Sequence, residues 1–211
     1  MTPAEGLLVL VRHGESTDNE LNLFSGWRDP GLTEKGVMEA RRAGLTLKAQ
    51  GVRFDAAFTS LLGRASRSLA LMLGEMGQTD VPVTAAPELN ERDYGELSGL
   101  NKEGARAIWG SEQVRLWRKS YDAVPPGGES LAMTAARALP FCREAIDPRL
   151  RRGETILVVA HGNSLRSIVK DLDGLSVGEV ESVHIATSQI LTYAIGADGR
   201  VIQKASMRVT V

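Results

Sequence analysis

Two histidines in this 211-residue chain each follow a short apolar run and precede a glycine. His13 comes after residues 7–11, and His161 comes after residues 156–160. The chain contains only three histidines, so the repeated pattern indicates a shared role. Such runs are typical of buried parallel strands, whose carboxyl ends meet at one edge of a sheet. We therefore expect both imidazoles to face one pocket.

The residue types around both histidines suit a phosphate group. Arg12 precedes His13, and Asn163 lies just after His161. The segment after His13 adds Gly14, Glu15, Ser16 and Asn19. A guanidinium supplies paired donors that match a phosphoryl group, and a neutral imidazole supplies a nitrogen nucleophile. A single isolated histidine would more simply satisfy a strand-end backbone group, but this combination predicts phosphoryl transfer through a phosphohistidine.

Phosphoryl transfer also needs further positive charge and a group that moves the proton of the substrate hydroxyl. Arg64 lies in the first turn of a predicted helix after the strand at 54–59, so we expect it at the same rim as the histidines. Arg67, one turn further along, is predicted to be a surface charge. Glu91 is the candidate general acid and base, although its spacing alone favours a solvated loop carboxylate.

Several other functions are disfavoured by the sequence. It contains neither a GxxxxGK[ST] nor a GxGxxG nucleotide motif, and neither an HExxH nor a clustered Cys/His metal pattern. With 25 basic and 26 acidic residues, the net charge of -1 does not point to nucleic acid or a membrane. The N-terminal segment does not resemble a signal peptide, and Cys142 is the only cysteine, so we expect a cytoplasmic protein in which Cys142 is buried.

The elements that would position these residues alternate between strand and helix. Apolar patterning predicts strands near residues 7–11, 54–59, 81–85, 156–160, 188–194 and 201–205. It predicts helices at 34–50 after the cap Thr33, 62–76, 101–109, 111–119 and 129–146, where Asp147-Pro148 would end the helix, and a short helix after Asn163-Ser164. A loop at 122–128 has the composition of a lid.

This order predicts a single α/β domain over residues 1–211. We expect a three-layer sandwich in which helices flank a mostly parallel central sheet, with a helical insert over the active site.

The motifs together resemble the histidine phosphatase superfamily, and within it the bisphosphoglycerate-dependent phosphoglycerate mutases, along nearly the entire chain. The N-terminal part of the resemblance comprises residues 10–16 with Asn19, 24–27 and 32–36. The later part comprises residues 59–60 with 64–65, 89–95, 97–102, 117–122 and 160–166. The Arg-His-Gly motif alone marks only the superfamily, whereas the middle of the chain favours the mutases.

The resemblance implies a role for each matched residue. His13 would be the nucleophile and Glu91 the general acid and base. The transferring phosphoryl group would be held by Arg12, Asn19, Arg64 and His161. A clamp for the substrate carboxylate and distal phosphate would comprise Glu91, Tyr94, Lys102, Arg118 and Lys119. The other substrate contacts would come from Gly14, Glu15, Ser16, Ser25, Gly26, Arg92, Gly162 and Asn163.

The implied activity interconverts 3-phosphoglycerate and 2-phosphoglycerate in glycolysis and gluconeogenesis, with 2,3-bisphosphoglycerate as primer and without a metal. The partners would be small anionic phosphoglycerates, and a homodimer is compatible with the resemblance. One alternative is a phosphatase acting at the same site on bisphosphoglycerate or another small phosphate ester. A non-catalytic phospho-ligand module is disfavoured, because all five predicted catalytic residues are present.

Two departures from the mutase pattern have expected consequences. The chain crosses from Pro125-Pro126 to Glu129 through only Gly127-Gly128, which predicts a smaller lid and more hydrolysis of the phosphohistidine. Lys119 stands where the family usually has an arginine, so a point charge replaces a planar fork and substrate affinity should fall modestly. His184, with no motif around it, is predicted to be a structural or surface residue.

Overall fold

The chain, described by a computed structural model over residues 5–209, is built on a six-stranded sheet. The strands are β1 (Gly6–Arg12), β2 (Ala56–Thr59), β3 (Val83–Ala85), β4 (Thr155–Ala160), β5 (Ile190–Ile195) and β6 (Val201–Met207). Their order across the sheet is β3-β2-β4-β1-β5-β6. The pairs formed by β1, β2, β3 and β4 are parallel, while β5 runs antiparallel to both β1 and β6.

Helices connect and cover these strands. Before β4 they are α1 (Thr17–Glu20), α2 (Glu34–Ala49), α3 (Gly63–Met76), α4 (Lys102–Trp109), α5 (Ser111–Lys119), α6 (Leu131–Phe141) and α7 (Asp147–Arg151). After β4 come α8 (Gly162–Leu172) and α9 (Val177–Ser182). Short 3-10 turns lie at Pro87–Leu89 and Gly95–Leu97, and a π-helical turn at Cys142–Ile146.

The two faces of the sheet are packed against different helices, because successive strand residues point to opposite sides. Leu8 and Leu10 of β1 pack in a cluster with residues of α6, α8 and the π-helical turn. Val9 and Val11 pack in a second cluster with residues of α2 and α3. The predicted three-layer α/β sandwich, with its mostly parallel sheet, is therefore confirmed.

A third apolar cluster holds the helical insert together. Its buried members are Phe24, Leu97, Ala105, Val114 and Trp117. They join α4 and α5 to the segment after α1 and to the turn at Gly95–Leu97. This cluster fixes where the charged side chains of α4 and α5 project.

The predicted helix at 129–146 differs from the observed structure. In the structure this segment consists of α6, the π-helical turn and α7 in direct succession, and the helix continues to Arg151. The prediction that Asp147-Pro148 ends the helix is therefore wrong. Pro148 is the second residue of α7 and directly follows the π-helical turn, where the hydrogen-bond register changes and a residue without a backbone N–H is tolerated. The π-helical turn before it absorbs the change of register. Helices α1 and α9 were not predicted, because four and six residues carry too little periodicity.

Two glycines allow the loop after β1 to touch the start of α2. A Cβ built on Gly36 would overlap the backbone of Glu15, and one built on Gly14 would overlap the backbone of Gly36. The first turn of α2 is itself capped by Thr33, whose hydroxyl accepts the N–H of Gly36 at 3.0 Å. The loop that carries His13 is thus fixed by direct backbone packing.

We expect Gly36→Ala to lower the free energy of unfolding by about 1–3 kcal/mol, because the added methyl overpacks a rigid backbone contact. Urea denaturation would measure this change. Gly74→Ala is the matched control, since Gly74 lies in α3 with no heavy atom within 4 Å of the added Cβ. Alanine there should leave stability unchanged or raise it slightly, and equal losses in both variants would contradict the packing explanation.

Candidate active site

The two histidines that follow β1 and β4 lie side by side. Arg12 pairs with Ala160 at the ends of these strands, so the next residues, His13 and His161, emerge together. Their ring centroids are 5.0 Å apart and the rings are tilted by 58°. Both are buried, with exposed fractions of 2% and 0%. The structure thus brings the repeated His-Gly pairs to one place.

The His13 ring is held in a state suited to nucleophilic attack. Its Nδ1 lies 2.6 Å from the carbonyl oxygen of Gly14. A carbonyl oxygen can only accept, so Nδ1 carries the proton and Nε2 keeps its lone pair. Burial, followed by the charges of Arg64 and Arg12, holds the pKa of His13 well below its usual value. A neutral imidazole with a free Nε2 is the nucleophilic form.

Arg12 and Arg64 are anchored through their terminal nitrogens. Arg12 donates from Nη1 to the carbonyl of Ile185 at 2.8 Å. Arg64 donates from Nη1 to the carbonyl of Arg28 at 2.7 Å and from Nη2 to that of Gly26 at 3.0 Å. These bonds leave the inner nitrogen, Nε, of each guanidinium buried without a protein partner.

Three buried nitrogens around His13 therefore lack a partner among the described residues: Arg12 Nε, Arg64 Nε and His161 Nδ1. A buried polar atom without a partner costs about 1–3 kcal/mol, so this arrangement calls for an acceptor from a ligand. A phosphoryl group in transfer presents three peripheral oxygens. The site thus fits a phosphoryl group beside His13.

Glu91 is fixed through one carboxylate oxygen and free at the other. Its Oε1 accepts the backbone N–H of Arg92 at 2.8 Å and that of Asn163 at 3.0 Å. Its Oε2 lies next to Gly162, at 3.7 Å from the position a Cβ would take there, and Arg12 Nε lies at the same distance. The free oxygen of Glu91 therefore lies near Gly162 and Arg12.

The main chain of Glu91 is held from the other side by two residues to which the sequence assigned no role. Its carbonyl oxygen accepts from Trp27 Nε1 at 2.6 Å and from Arg137 Nη2 at 3.0 Å. Arg137 also pairs with Glu129 at 2.9 Å and donates to the carbonyls of Glu88 and Asn90. Arg137 lies in α6, far from any recognisable motif, so only the folded structure reveals this support.

A pocket of about 160 Å³ opens beside these groups. Its lining includes the predicted site residues Arg12, Asn19, Ser25, Gly26, Glu91, Tyr94, Lys102, Arg118, Lys119, Gly162 and Asn163. Further lining residues are Leu23, Phe24, Arg166, Val183, His184 and Ile185. Lys102 comes from α4, whereas Arg118 and Lys119 come from the end of α5, so the helical insert lies over the pocket as predicted.

Arg166 is a further cation of the pocket. It donates from Nη1 to the side-chain oxygen of Asn163 at 3.1 Å. From Nη2 it donates to the carbonyl of Val180 at 2.8 Å and to that of Lys119 at 3.2 Å. It thus ties α8 to the end of α5. Its position three residues after Asn163 on one helix was the available signal, since residues at that spacing share a face.

Burial and the neighbouring positive charges lower the pKa values of two lysines in the pocket. Burial, followed by the charges of Arg118 and Arg12, lowers the pKa of Lys102 to about 8. Burial and the charges of Arg166 and Arg118 also lower the pKa of Lys119. Neighbouring cations disfavour one another's charged form, and an anionic ligand would stabilise that form in all of them.

Seven predicted site residues are absent from the lining of this pocket: His13, Arg64 and His161, which form the phosphoryl site described above, and four others. Gly14 packs on α2, and the Glu15 carboxylate accepts a hydrogen bond from Lys35 Nζ at 2.8 Å. Ser16 caps α1 by accepting the N–H of Asn19 at 3.3 Å. Arg92 is fully buried and donates to the Tyr94 hydroxyl at 2.8 Å. All four contact the elements that hold His13, Asn19 or Tyr94.

Three other predicted features can be placed. His184 lies on the rim of the pocket, and Arg67 is exposed. Cys142 is buried in the apolar cluster below β1, where burial raises the pKa of its thiol to about 12.

The loop at 122–128 packs against the segment that follows Glu91. Glu96 N–H donates to the carbonyl of Pro126 at 2.9 Å, and Glu129 N–H donates to that of Asp93 at 2.9 Å. The Asp93 N–H donates in turn to Glu129 Oε2 at 3.0 Å. No residue of this loop lines the pocket in the described structure.

The described residues contain neither a metal-binding cluster nor a membrane-spanning helix. No three His, Cys, Asp or Glu side chains between residues 5 and 209 are grouped as a metal ion would need. Over the same range, every helix is too short or too polar to cross a bilayer.

The chain is similar to known proteins in both sequence and fold. Residues 8–207 match the histidine phosphatase superfamily (branch 1). A protein of Methylobacterium sp. (strain 4-46) named 2,3-bisphosphoglycerate-dependent phosphoglycerate mutase is 57% identical over 200 residues, covering 95% of this chain and 96% of the relative. A protein of the same name from Xanthobacter autotrophicus is 54% identical over 204 residues, covering 97% and 99%.

A solved structure, Bacillus stearothermophilus YhfR, superimposes with a TM-score of 0.83 at 25% identity and covers 98% of both chains. The fold and the family predicted from the motifs are both confirmed by these matches. The chain belongs to the histidine phosphatase superfamily, in the group that contains these 2,3-bisphosphoglycerate-dependent phosphoglycerate mutases.

Proposed function

We propose that this protein interconverts 3-phosphoglycerate and 2-phosphoglycerate through a phosphohistidine at His13, in glycolysis and gluconeogenesis. The observation that carries the proposal is the neutral, buried His13 with a free Nε2, close to Arg12 and Arg64, of which Arg12 also lines a pocket rich in cations. The names of relatives that are 54–57% identical over nearly the whole chain support the same activity.

Substrate binding follows from the charge of the pocket. The clamp cations Lys102, Arg118 and Lys119 lie on the insert and line the same pocket as Arg12. This arrangement suits a small molecule with one phosphate at His13 and a carboxylate or second phosphate at the insert. A phosphatase acting on a single phosphate needs no such second group, so the clamp favours the mutase.

In the transfer step, each residue of the site has its own role. His13 Nε2 attacks the phosphorus, and Arg12, Arg64 and His161 donate to its three peripheral oxygens as charge builds there. Glu91 gives a proton to the oxygen that leaves and takes one from the hydroxyl that attacks in the return step. When bound, 2,3-bisphosphoglycerate supplies the phosphoryl group that primes His13.

Activity measurements can test this proposal. Protein freed of bisphosphoglycerate should interconvert the two monophosphoglycerates slowly, and added 2,3-bisphosphoglycerate should raise that rate well above the rate of phosphate release. Both rates should be followed in the same samples. A protein that mainly releases phosphate, or one that 2,3-bisphosphoglycerate does not stimulate, would contradict the proposal.

Lys102 should make substrate capture depend on pH. Its pKa of about 8 means that the cation is present below that pH and is lost above it. We therefore expect kcat/KM to fall several-fold as pH rises through about 8, because kcat/KM reports the free enzyme. Lys102→Arg keeps its charge over this range, so its kcat/KM should stay level. An equal fall in Lys102→Arg would assign the titration to another group.

We also propose that the chain forms one domain and works in the cytoplasm, where the phosphoglycerates of glycolysis are found. The central sheet supports one domain, because β1 near the start of the chain pairs with β4 and β5 near its end. A homodimer stays a prediction.

A further inference from the structure

Ser60 contacts the second histidine of the site directly. It follows β2, whose Thr59 pairs with Val159 at the end of the neighbouring β4, so Ser60 and His161 leave adjacent strands together. Ser60 is fully buried, and its Oγ lies 2.7 Å from His161 Nε2. No other hydrogen bond reaches His161 Nε2 within the described chain.

The direction of this hydrogen bond follows from the other partners of Ser60. Its Oγ already accepts the backbone N–H of Leu62 at 3.2 Å. The hydroxyl proton has no acceptor other than His161 Nε2 among the hydrogen bonds of residues 5–209. If Nε2 carried the proton instead, a buried hydroxyl would be left without an acceptor, at a cost comparable to a lost hydrogen bond. Ser60 therefore donates to Nε2.

We infer that Ser60 is a positioning residue that fixes His161 in the tautomer with its proton on Nδ1, so that Nδ1 donates to the phosphoryl group at His13. The inference rests on the proposed function. His161 Nδ1 is buried without a protein partner, and the two rings are 5.0 Å apart. In the other tautomer, Nδ1 would present a lone pair to an anionic oxygen.

The tautomer matters because the ring is neutral. Burial, followed by the charges of Arg64, His13 and Arg12, holds the pKa of His161 well below its usual value. Both histidines then have the same tautomer and opposite roles. His13, fixed by the Gly14 carbonyl, offers the lone pair of Nε2, whereas His161, fixed by the Ser60 hydroxyl, offers the N–H of Nδ1.

Nitrogen NMR of the imidazoles tests the inference directly. The chain has only three histidines, so the ring signals can be assigned with His13→Asn and His184→Gln variants. In the wild-type protein without ligand, His161 should show a protonated Nδ1 and an unprotonated Nε2. A protonated Nε2 in the wild-type protein would overturn the inference, whether or not any variant folds.

Substitutions of Ser60 supply the second readout. Ser60→Ala should shift His161 toward the Nε2-protonated tautomer, and Ser60→Thr, which retains a hydroxyl, should keep the wild-type signals. Ser164→Ala is the matched control, because the Ser164 hydroxyl accepts the backbone N–H of His161 at 3.2 Å and does not bond the ring. The ring signals should be unchanged in that variant. Wild-type signals in Ser60→Ala would overturn the inference.

The rate of phosphoenzyme formation should follow the tautomer. We expect Ser60→Ala to slow it roughly tenfold, less than the 10²–10³ typical for complete loss of an oxyanion donor, because the ring stays in place. Ser60→Thr should restore the rate, and an unchanged rate in Ser60→Ala would contradict the role. If the wild-type protein formed no phosphoenzyme, the proposed function would fail, while the ring signals would still decide the tautomer.

Discussion

Replacing His13 by alanine is expected to abolish the phosphoenzyme and to lower the rate of interconversion by several orders of magnitude. Of the two buried histidines, His13 offers a free lone pair on Nε2 to a phosphorus atom, whereas the proton of Ser60 occupies Nε2 of His161. Loss of a covalent nucleophile costs on the order of 10⁶ in kcat in an enzyme where it has been measured. Arg12, Arg64 and Glu91 would remain and could still bind substrate.

The measurement is the transfer of label from 2,3-bisphosphoglycerate to the protein, followed by acid treatment. A phosphohistidine is labile in acid and stable in alkali, so wild-type label should be lost in acid and absent from His13→Ala. Arg67→Ala is a suitable control, because Arg67 is exposed and lies outside the pocket, and it should label normally. Undiminished labelling of His13→Ala would refute the assignment of the nucleophile.

Glu91→Gln is expected to slow turnover by roughly 10²–10⁴, the usual contribution of a general acid or base. Glutamine has nearly the same shape, and its side-chain oxygen can still accept the N–H groups of Arg92 and Asn163. It cannot give and take the proton at the free position beside Gly162. Phosphoenzyme should therefore still form, but slowly, and the affinity for monophosphoglycerate should change little.

Single-turnover labelling and steady-state assays would separate these effects. Glu96→Gln provides the comparison, since Glu96 is an exposed carboxylate only five residues away that does not line the pocket. Its turnover should equal that of the wild-type protein. Normal turnover in Glu91→Gln would show that another group moves the proton.

The part of the site that could be predicted from the sequence is the part carried by local patterns. The runs before His13 and His161 are apolar at every position, because β1 and β4 are covered on both faces, and this predicts buried parallel strands without further information. Parallel neighbours end at the same edge, so the meeting of the two histidines followed from their place in the chain.

The supporting residues could not be predicted, because their partners are distant in sequence. Arg137 holds the Glu91 carbonyl from 46 residues away, and Ser60 reaches His161 across 101 residues. Neither contact leaves a periodic or spaced signal in the chain. The same limit explains the error at Pro148, where the π-helical turn that precedes α7 has no distinct sequence pattern.

The fate of the phosphoryl group on His13 is the most direct test of the proposed mutase. The protein would be labelled with 2,3-bisphosphoglycerate, freed of excess label, mapped to locate the modified residue, and chased with unlabelled 3-phosphoglycerate. We expect the label on His13 to pass into bisphosphoglycerate and then into 2-phosphoglycerate. Label found on another residue, or released from His13 mainly as inorganic phosphate in the presence of 3-phosphoglycerate, would contradict a mutase that acts through this histidine.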